Sequence, residues 1–214
     1  CYEINQELAD ITVMQSGWSM SKTYDLGYRP VRPVLMWTSC DPAIFNREGR
    51  SPFARNRRIR LISTSWSDNP RKGRATYEWL DQHLDWSRYE YTFVGRVTGA
   101  FQHIRTHSPV DSQTLAGLLK QHDIYVTASQ NDPCSNALVE ALSCGLPAAY
   151  LRDGGHPELV EFGGIGFRAP EEIPDVLERL VASYEAFQRN IWVDGIDELA
   201  QKYIECVRLA GALD

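Results

Sequence analysis

From Arg58 onward, short apolar runs alternate with amphipathic segments, and this alternation constrains the fold more than any other feature. Arg58–Ser65, Tyr89–Gly95 and Ile124–Ala128 each predict a strand, and the segments between them carry apolar residues at helical spacing. Strands alternating with helices through short connections are typical of a parallel sheet with helices on both faces. We therefore predict an α/β fold with a Rossmann-like, doubly wound parallel sheet. Further strands are predicted at 148–151 and 165–167, and helices at 71–83, 111–121, 136–144, 157–161, 171–187 and 197–209.

The first part of the chain lacks this regularity. Ile11–Gln15 and Val34–Trp37 are short apolar runs, and a Ser-rich turn is predicted after Gly17 and Trp18. We expect residues 1–56 to be the tail of one domain plus a linker, 57–195 to be the Rossmann-like domain, and 196–214 to contain a closing helix. The chain starts at Cys1 without a Met or a signal-like segment, which favours a piece of a longer protein over a processed terminus.

Composition excludes several classes of protein. The formal net charge is −6, so the chain lacks the bulk positive charge of a typical nucleic-acid binder. It has no apolar run of the roughly 20 residues that span a membrane. The five cysteines form no CxxC pair, which favours a reduced, cytoplasmic protein over a disulfide scaffold or a zinc site. They are Cys1, Cys40, Cys134, Cys144 and Cys206.

Ligands of such sheets bind beyond the carboxyl ends of the strands, so the post-strand loops hold the candidate site. Lys72 follows the first long strand beside a predicted helix start, which favours an anion such as phosphate; the alternative is a solvated loop lysine. Glu140 lies on a nearly all-apolar helix and needs donors, which ribose hydroxyls would supply. The alternatives are a structural Arg partner or a position at the helix edge. Asp132 lies in the loop ahead of that helix.

Glycines mark two further loops. Gly95 ends a strand, where a ligand could approach closely, although a simple turn is the more frequent reason. Gly154 and Gly155 precede a predicted helix and could form a backbone cradle for an anion or a sugar. His156 follows them, and a lone loop histidine is usually exposed to solvent. The GxGxxG fingerprint of dinucleotide-binding proteins is absent after Arg58–Ser65.

Taken in this order, the motifs resemble the donor-binding half of glycosyltransferase family 4. They are Lys72-Gly73, Asp132-x7-Glu140, the run 141–147 (ALSCGLP) and the run 154–158 (GGHPE). The resemblance covers roughly 58–209. It implies the GT-B fold, in which two Rossmann-like domains enclose the active site, and makes this chain the C-terminal domain with a remnant of the N-terminal one.

The resemblance implies roles for single residues. Lys72 would neutralise the donor diphosphate, and Asp132 would lie beside the donor sugar near the reacting carbon. Glu140 would hold the nucleotide ribose. The remaining donor-binding positions are Gly95 and Val110 at the base pocket and Ser135, Asn136 and Ala137 at the diphosphate. Such enzymes usually retain anomeric configuration and use no metal or other cofactor, so the implied donor is a UDP- or GDP-sugar.

The sequence departs from the family at three points. Ser67 occupies the position of a usual Arg, which Arg71 or Arg74 could replace, and Asp132 is one methylene shorter than the usual Glu. The run Pro133-Cys134-Ser135 stands where the family has a Gly-Phe-Gly-like run. These departures keep a second interpretation open, a non-catalytic nucleotide-sugar-binding or assembly domain. A sugar-nucleotide epimerase and a nicotinamide-dependent dehydrogenase are weaker alternatives. Expected partners are the absent N-terminal domain, through which the protein could lie at a membrane, and a glycan, lipid or small-molecule acceptor, but no nucleic acid.

Overall fold

A six-stranded parallel sheet forms the centre of the protein. The computed structural model describes residues 2–211, so predictions that concern Cys1 and the last three residues lie outside the described part. Two further short strands pair separately near the start of the chain. The strands are β1 Thr12–Met14, β2 Pro33–Leu35, β3 Ile59–Ser65, β4 Tyr89–Gly95, β5 Arg105–His107, β6 Ile124–Thr127, β7 Ala148–Leu151 and β8 Gly164–Phe167.

The order of the central sheet is β5-β4-β3-β6-β7-β8. The chain builds outward from β3 through β4 to β5, then returns to add β6, β7 and β8 on the other side. The direction reverses between β3 and β6, where Leu61 pairs with Ile124. This reversal is the topological switch point, beyond which doubly wound folds bind their ligands.

Helices cover both faces of the sheet, which confirms the predicted fold class. One core lies under α3 and α7, with Leu80 and Leu177 fully buried. The other lies under α4, α5 and α6, with Leu119 and Leu138 fully buried. The helices are α1 Tyr2–Leu8, α2 Gly17–Asp25, α3 Arg74–His83, α4 Ser112–Gln121, α5 Asn136–Ser143, α6 His156–Val160, α7 Ile173–Ala182, α8 Tyr184–Arg189 and α9 Ile196–Leu209.

The N-terminal segment is attached to the central domain by a helix cap. The carboxylate of Glu158, in α6, accepts hydrogen bonds from the backbone N–H groups of Gly17 at 2.7 Å and Trp18 at 2.8 Å. These N–H groups belong to the first turn of α2 and have no partner within that helix. A carboxylate there also interacts favourably with the helix dipole. Glu158 therefore fixes where α2 begins.

The structure corrects several secondary-structure predictions. The single helix predicted over 171–187 is a 3-10 turn at Pro170–Glu172 followed by α7 and α8, which separate at Ser183. The turn predicted after Gly17 is α2, started by a Ser16 cap that accepts from the Ser19 N–H. Helix α1 and strand β5 were not predicted; all three residues of β5 are exposed, so it has no apolar signal.

Three structural findings concern function classes. No helix in residues 2–211 is both long and apolar enough to cross a membrane. Within the same residues, no three His, Cys, Asp or Glu side chains are grouped so that they could share a metal ion. The four cysteines that the structure describes have free thiols, and they are Cys40, Cys134, Cys144 and Cys206.

Candidate functional site

The loop after β3 carries Lys72 to the switch point. Pro70–Lys72 is a 3-10 turn, so the helix predicted from 71 begins only at Arg74. Gly73 has a φ of +93°, and a Cβ there would lie 2.5 Å from the Cβ of Ala128. Only glycine fits this approach, because it tolerates positive φ and needs no side-chain space. A hydrogen bond at 2.7 Å from the Gln130 N–H to the Arg71 carbonyl joins the same loops.

This approach brings Lys72 and Asp132 together across 60 residues of sequence. Lys72 Nζ donates to Asp132 Oδ2 at 2.9 Å. Ser129, two residues after the end of β6, donates its hydroxyl to the same oxygen at 3.2 Å. The side chain of Asp132 is 11% exposed and that of Lys72 is 40% exposed. The two predicted catalytic residues therefore form an ion pair at the mouth of the switch point.

Gly154 and Gly155 position Asp132. A Cβ on Gly154 would lie 2.2 Å from the Asp132 carbonyl oxygen, and one on Gly155 would lie 2.2 Å from that of Pro133. The Gly155 N–H donates to the Asp132 carbonyl at 2.9 Å. The protein's own backbone therefore occupies the space that the sequence assigned to an anion or a sugar, and the predicted cradle is a packing contact instead.

The N-terminal end of α5 closes the site from one side. Ser135 is the N-cap residue, and its side chain makes no cap hydrogen bond. The N–H groups of the first helical turn, at Asn136 and Ala137, have no intrahelical partner and carry the positive end of the helix dipole. All three residues line a cavity of about 230 Å³ together with Lys72 and Asp132. The cavity thus presents an ammonium group and a helix N-terminus, both suited to a diphosphate.

The predicted base-pocket residues lie in a second, adjoining cavity. Gly95 has a φ of +138°, and a Cβ there would lie 1.8 Å from the carbonyl oxygen of Ser65, its partner in the sheet. Gly95 and Val110 line a space of about 10 Å³, enough for roughly one water molecule. The two cavities share Ser65 and Trp66. The structure therefore brings every predicted site residue except Glu140 to one edge of the sheet.

Glu140 is half-buried on α5 and lines neither of these cavities. Desolvation by burial raises the pKa of its carboxyl from 4.5 to about 7. Its side chain has no hydrogen bond or ion pair with the described residues, so the structural Arg partner considered above is absent among them. Its need for donors, predicted from the sequence, remains unmet by the part of the chain that the structure describes.

Among residues 2–211, no arginine lines the cavity that Lys72 shares with Asp132. Ser67 lines this cavity, but its hydroxyl accepts from the Asn69 N–H at 3.1 Å and so orders the loop. Arg74 donates to Glu78 at 2.6 Å, and its guanidinium carbon lies 4.6 Å from the ring centre of Phe101. With Ser67 and Lys72 it lines a second cavity of about 190 Å³. Arg71 is exposed.

His156 is fully buried, contrary to the expected exposure. Its Nδ1 donates to the Leu151 carbonyl at 3.1 Å, and its Nε2 has no partner among the described residues. Burial lowers the pKa of the imidazole, against the opposing effect of the Leu151 hydrogen bond. His156 is therefore a neutral, buried residue that packs next to the Gly154–Gly155 turn. It does not line the cavity of Lys72.

The comparison with protein families agrees with this geometry. Residues 98–203 match the family described as "Glycosyl transferases group 1". The match covers 106 of the chain's 214 residues, just under half of it. The matched segment contains Asp132, the N-terminal end of α5 and Glu140, but it starts after Lys72. The resemblance drawn from the motifs is confirmed. No curated protein sequence matches the chain.

Solved structures of glycosyltransferases and a sucrose-phosphate synthase share the fold of this chain. Sucrose-phosphate synthase from Thermosynechococcus elongatus superimposes with a TM-score of 0.75 at 17% identity, over 99% of this chain and 60% of that one. HepE of Anabaena, in complex with UDP and glucose, gives 0.77 at 17% identity over 96% and 64%. A glycosyltransferase from Rickettsia africae gives 0.74 at 13% identity over 99% and 67%. The fold is that of the Rossmann-like C-terminal domain of GT-B glycosyltransferases, and the chain spans about three fifths of the first two proteins.

Sequence reasoning missed several residues that line the Lys72 cavity. Trp66, Tyr77 and Ser129 border it, together with Thr64 and Thr127 at the ends of β3 and β6. The helical spacing of apolar residues predicted only that Tyr77 lies in the core. This prediction is correct, because Tyr77 is buried and its hydroxyl accepts from the Ala128 N–H at 3.2 Å. Trp66 had a recognisable signal, because a large aromatic residue directly after a strand of this fold lies at the ligand edge.

Proposed function

We propose that this chain binds a nucleoside-diphosphate sugar at the switch point and is the donor-binding part of a glycosyltransferase. The observation that carries the proposal is the Lys72–Asp132 pair in one cavity with the N-terminal end of α5. Cation and helix N-terminus suit the diphosphate, and the carboxylate suits sugar hydroxyls. UDP is a supported donor nucleotide, because HepE of Anabaena, which shares the fold, is in complex with UDP and glucose.

In the proposed reaction a hexosyl group moves from the diphosphate to a hydroxyl acceptor. Negative charge develops on the departing diphosphate, where the Lys72 ammonium and the N–H groups of Asn136 and Ala137 would stabilise it. These donors would do the work of a metal ion, so the proposed reaction is metal-independent. Asp132 would hold a hydroxyl of the sugar, and Glu140 the ribose. Retention of the anomeric configuration completes the proposal, by analogy with the family.

A second candidate function is nucleotide-sugar binding without transfer. The lining of the Lys72–Asp132 cavity favours it, because no arginine in the described part of the chain borders this cavity, and Arg74 is held by Glu78 and Phe101 in the cavity on the other side of Lys72. Ser67 likewise supplies no positive charge. The loss of one positively charged side chain at the diphosphate slows sugar transfer more than it weakens binding. The reason is that negative charge on the diphosphate grows as its bond to the sugar breaks. Because these 214 residues alone are not expected to transfer sugar under either candidate, the assay that separates them measures sugar transfer by the chain joined to a GT-B N-terminal domain.

Titration calorimetry with UDP and GDP tests donor binding. We expect binding of at least one of them by the unmodified chain, without sugar transfer by these 214 residues alone. Lys72→Ala should weaken nucleotide binding about tenfold or more, because a charge-assisted hydrogen bond to phosphate is lost. Lys22→Ala is the matched control, since Lys22 lies on α2 and pairs with Asp25. Absence of binding to either nucleotide, or equal binding by both variants, would contradict the site.

A further inference from the structure

Trp66 lies at the junction of the two cavities. It directly follows β3, and it lines both the space beside Gly95 and the cavity of Lys72. Its side chain is 56% exposed, an unfavourable position for so large an apolar surface. The exposure of so large an aromatic side chain between two candidate ligand cavities therefore needs a physical explanation.

The indole of Trp66 has no ring partner among the described residues. Trp79 and Trp86, by contrast, stack on His83 and His103 respectively. The backbone on either side of Trp66 is nevertheless fixed. The Ser65 hydroxyl donates to the Ser67 carbonyl at 2.8 Å, which closes a tight turn around it. The protein thus presents an unstacked aromatic face from an ordered position.

The small cavity beside Gly95 cannot enclose a nucleobase. Its volume of about 10 Å³ admits roughly one water molecule. A nucleotide whose diphosphate lies at Lys72 and whose base lies towards Gly95 must place that base across the mouth of this cavity. Trp66 is the aromatic residue that borders both places.

We propose that Trp66 is the stacking platform for the nucleobase of the donor. This inference rests on the proposed function, because it assumes a nucleoside diphosphate at Lys72. Stacking on an aromatic ring needs only the π-face that every base has, so the platform accepts a pyrimidine or a purine. Trp66 would therefore contribute affinity for the nucleotide and little discrimination between UDP and GDP.

The test compares an aromatic and a non-aromatic replacement. With UDP and GDP as probes, Trp66→Phe should bind within threefold of the unmodified chain. Trp66→Leu should bind about tenfold more weakly, which corresponds to about 1.4 kcal/mol, because it keeps apolar bulk but loses the π-face. Bound nucleotide should quench tryptophan fluorescence in the unmodified chain and much less in Trp66→Phe. Since Trp66 is exposed, both variants should keep the melting temperature.

Trp192→Leu is the matched control. Trp192 is 69% exposed and lines a different cavity, beside Cys40 and Asp194, so its replacement should leave nucleotide affinity and quenching unchanged. Equal affinities of Trp66→Leu and Trp66→Phe would overturn the platform while leaving the donor site intact. Absence of UDP and GDP binding by the unmodified chain would overturn the donor site itself, and the platform with it.

Discussion

Lys72 and Asp132 satisfy each other's charge at the mouth of the switch point, at 2.9 Å between Nζ and Oδ2. An incoming diphosphate must therefore compete with Asp132 for the lysine. The pair also keeps the mostly buried Asp132 carboxylate from standing alone, which would be costly. The same two residues that suit a nucleotide sugar thus also hold each other in position.

Asp132→Asn should tighten the binding of UDP and GDP about two- to fivefold. The change removes a negative charge beside the diphosphate and frees Lys72, and a partly exposed ion pair of this kind is worth at most about 1 kcal/mol. Titration calorimetry measures the effect, with Asp175→Asn on the far helix α7 as the control. Weaker binding, similar to that of Lys72→Ala, would instead mean that Asp132 serves chiefly to orient the lysine.

The sequence predicted the sheet, and the position of most candidate residues at one edge of it, because both depend on local patterns. Apolar runs and helix starts are read over a few residues, and the loops after β3 and β6 follow from the strand order. The break between α7 and α8 has no such signal. Tyr184, at the start of α8, is fully buried, and its hydroxyl donates to the Asp123 carbonyl at 3.0 Å, so a distant contact sets where the helix bends.

Two further features depend on contacts that no local pattern encodes. Gly154 and Gly155 are permissive residues whose neighbours decide their role, and here the neighbour is the backbone at Asp132. The start of α2 has a local Ser16 cap and a second, distant cap from Glu158, 141 residues from Gly17. Reasoning over a short stretch of sequence cannot identify these distant partners. The sequence therefore predicted an anion-binding cradle at Gly154 and Gly155, and a turn where α2 begins.

Gly95→Ala should weaken nucleotide binding and destabilise the domain. A Cβ at Gly95 would lie 1.8 Å from the Ser65 carbonyl oxygen, and its φ of +138° is unfavourable for any other residue. We expect a loss of at least about 2 kcal/mol in the free energy of unfolding, measured by urea denaturation. Gly117→Ala is the matched control, because Gly117 lies inside α4 with nothing near its Cβ position. Gly117→Ala should raise the free energy of unfolding by about 0.5–1 kcal/mol. Unchanged stability of Gly95→Ala would contradict the close strand-end contact.

Glu140→Gln should change how stability depends on pH. The pKa of Glu140 is raised by burial from 4.5 to about 7, so the folded state binds its proton more tightly than the unfolded state does. The contribution of Glu140 to the stability of the fold is therefore fully present below pH 4.5 and is lost as the pH rises through 7. The variant, which cannot ionise, should be more stable than the unmodified chain at pH 8 by about 1–2 kcal/mol, once solvent access to the half-buried carboxyl is allowed for.

Urea denaturation at pH 4.5 and pH 8 measures this difference. The two proteins should converge at the lower pH, where Glu140 is protonated in the folded state. Glu171→Gln serves as the control, because Glu171 is exposed, and it should follow the unmodified chain at both values. A Glu140→Gln variant that is less stable at pH 8 would mean that the charged carboxylate finds donors in the apo protein.

Asp123→Asn should destabilise the domain by about 1.5–3 kcal/mol, because it removes the buried carboxylate that accepts charge-assisted hydrogen bonds from two half-buried arginines. Asp123 is fully buried and accepts from Arg57 at 2.7 Å and from Arg60 at 3.0 Å. Burial alone would raise the pKa of Asp123, but these hydrogen bonds outweigh it and lower the pKa below 3.8. The stabilisation by Asp123 is therefore present above pH 3.8 and is lost as the pH falls further, so the variant's loss of stability should become smaller in acid.

The control is Asp175→Asn. The side chain of Asp175 is 75% exposed and lies 3.7 Å from Arg179, so the substitution should change stability by less than about 0.5 kcal/mol. Equal urea midpoints for the two variants at pH 7 would contradict a structural role for the Asp123 cluster.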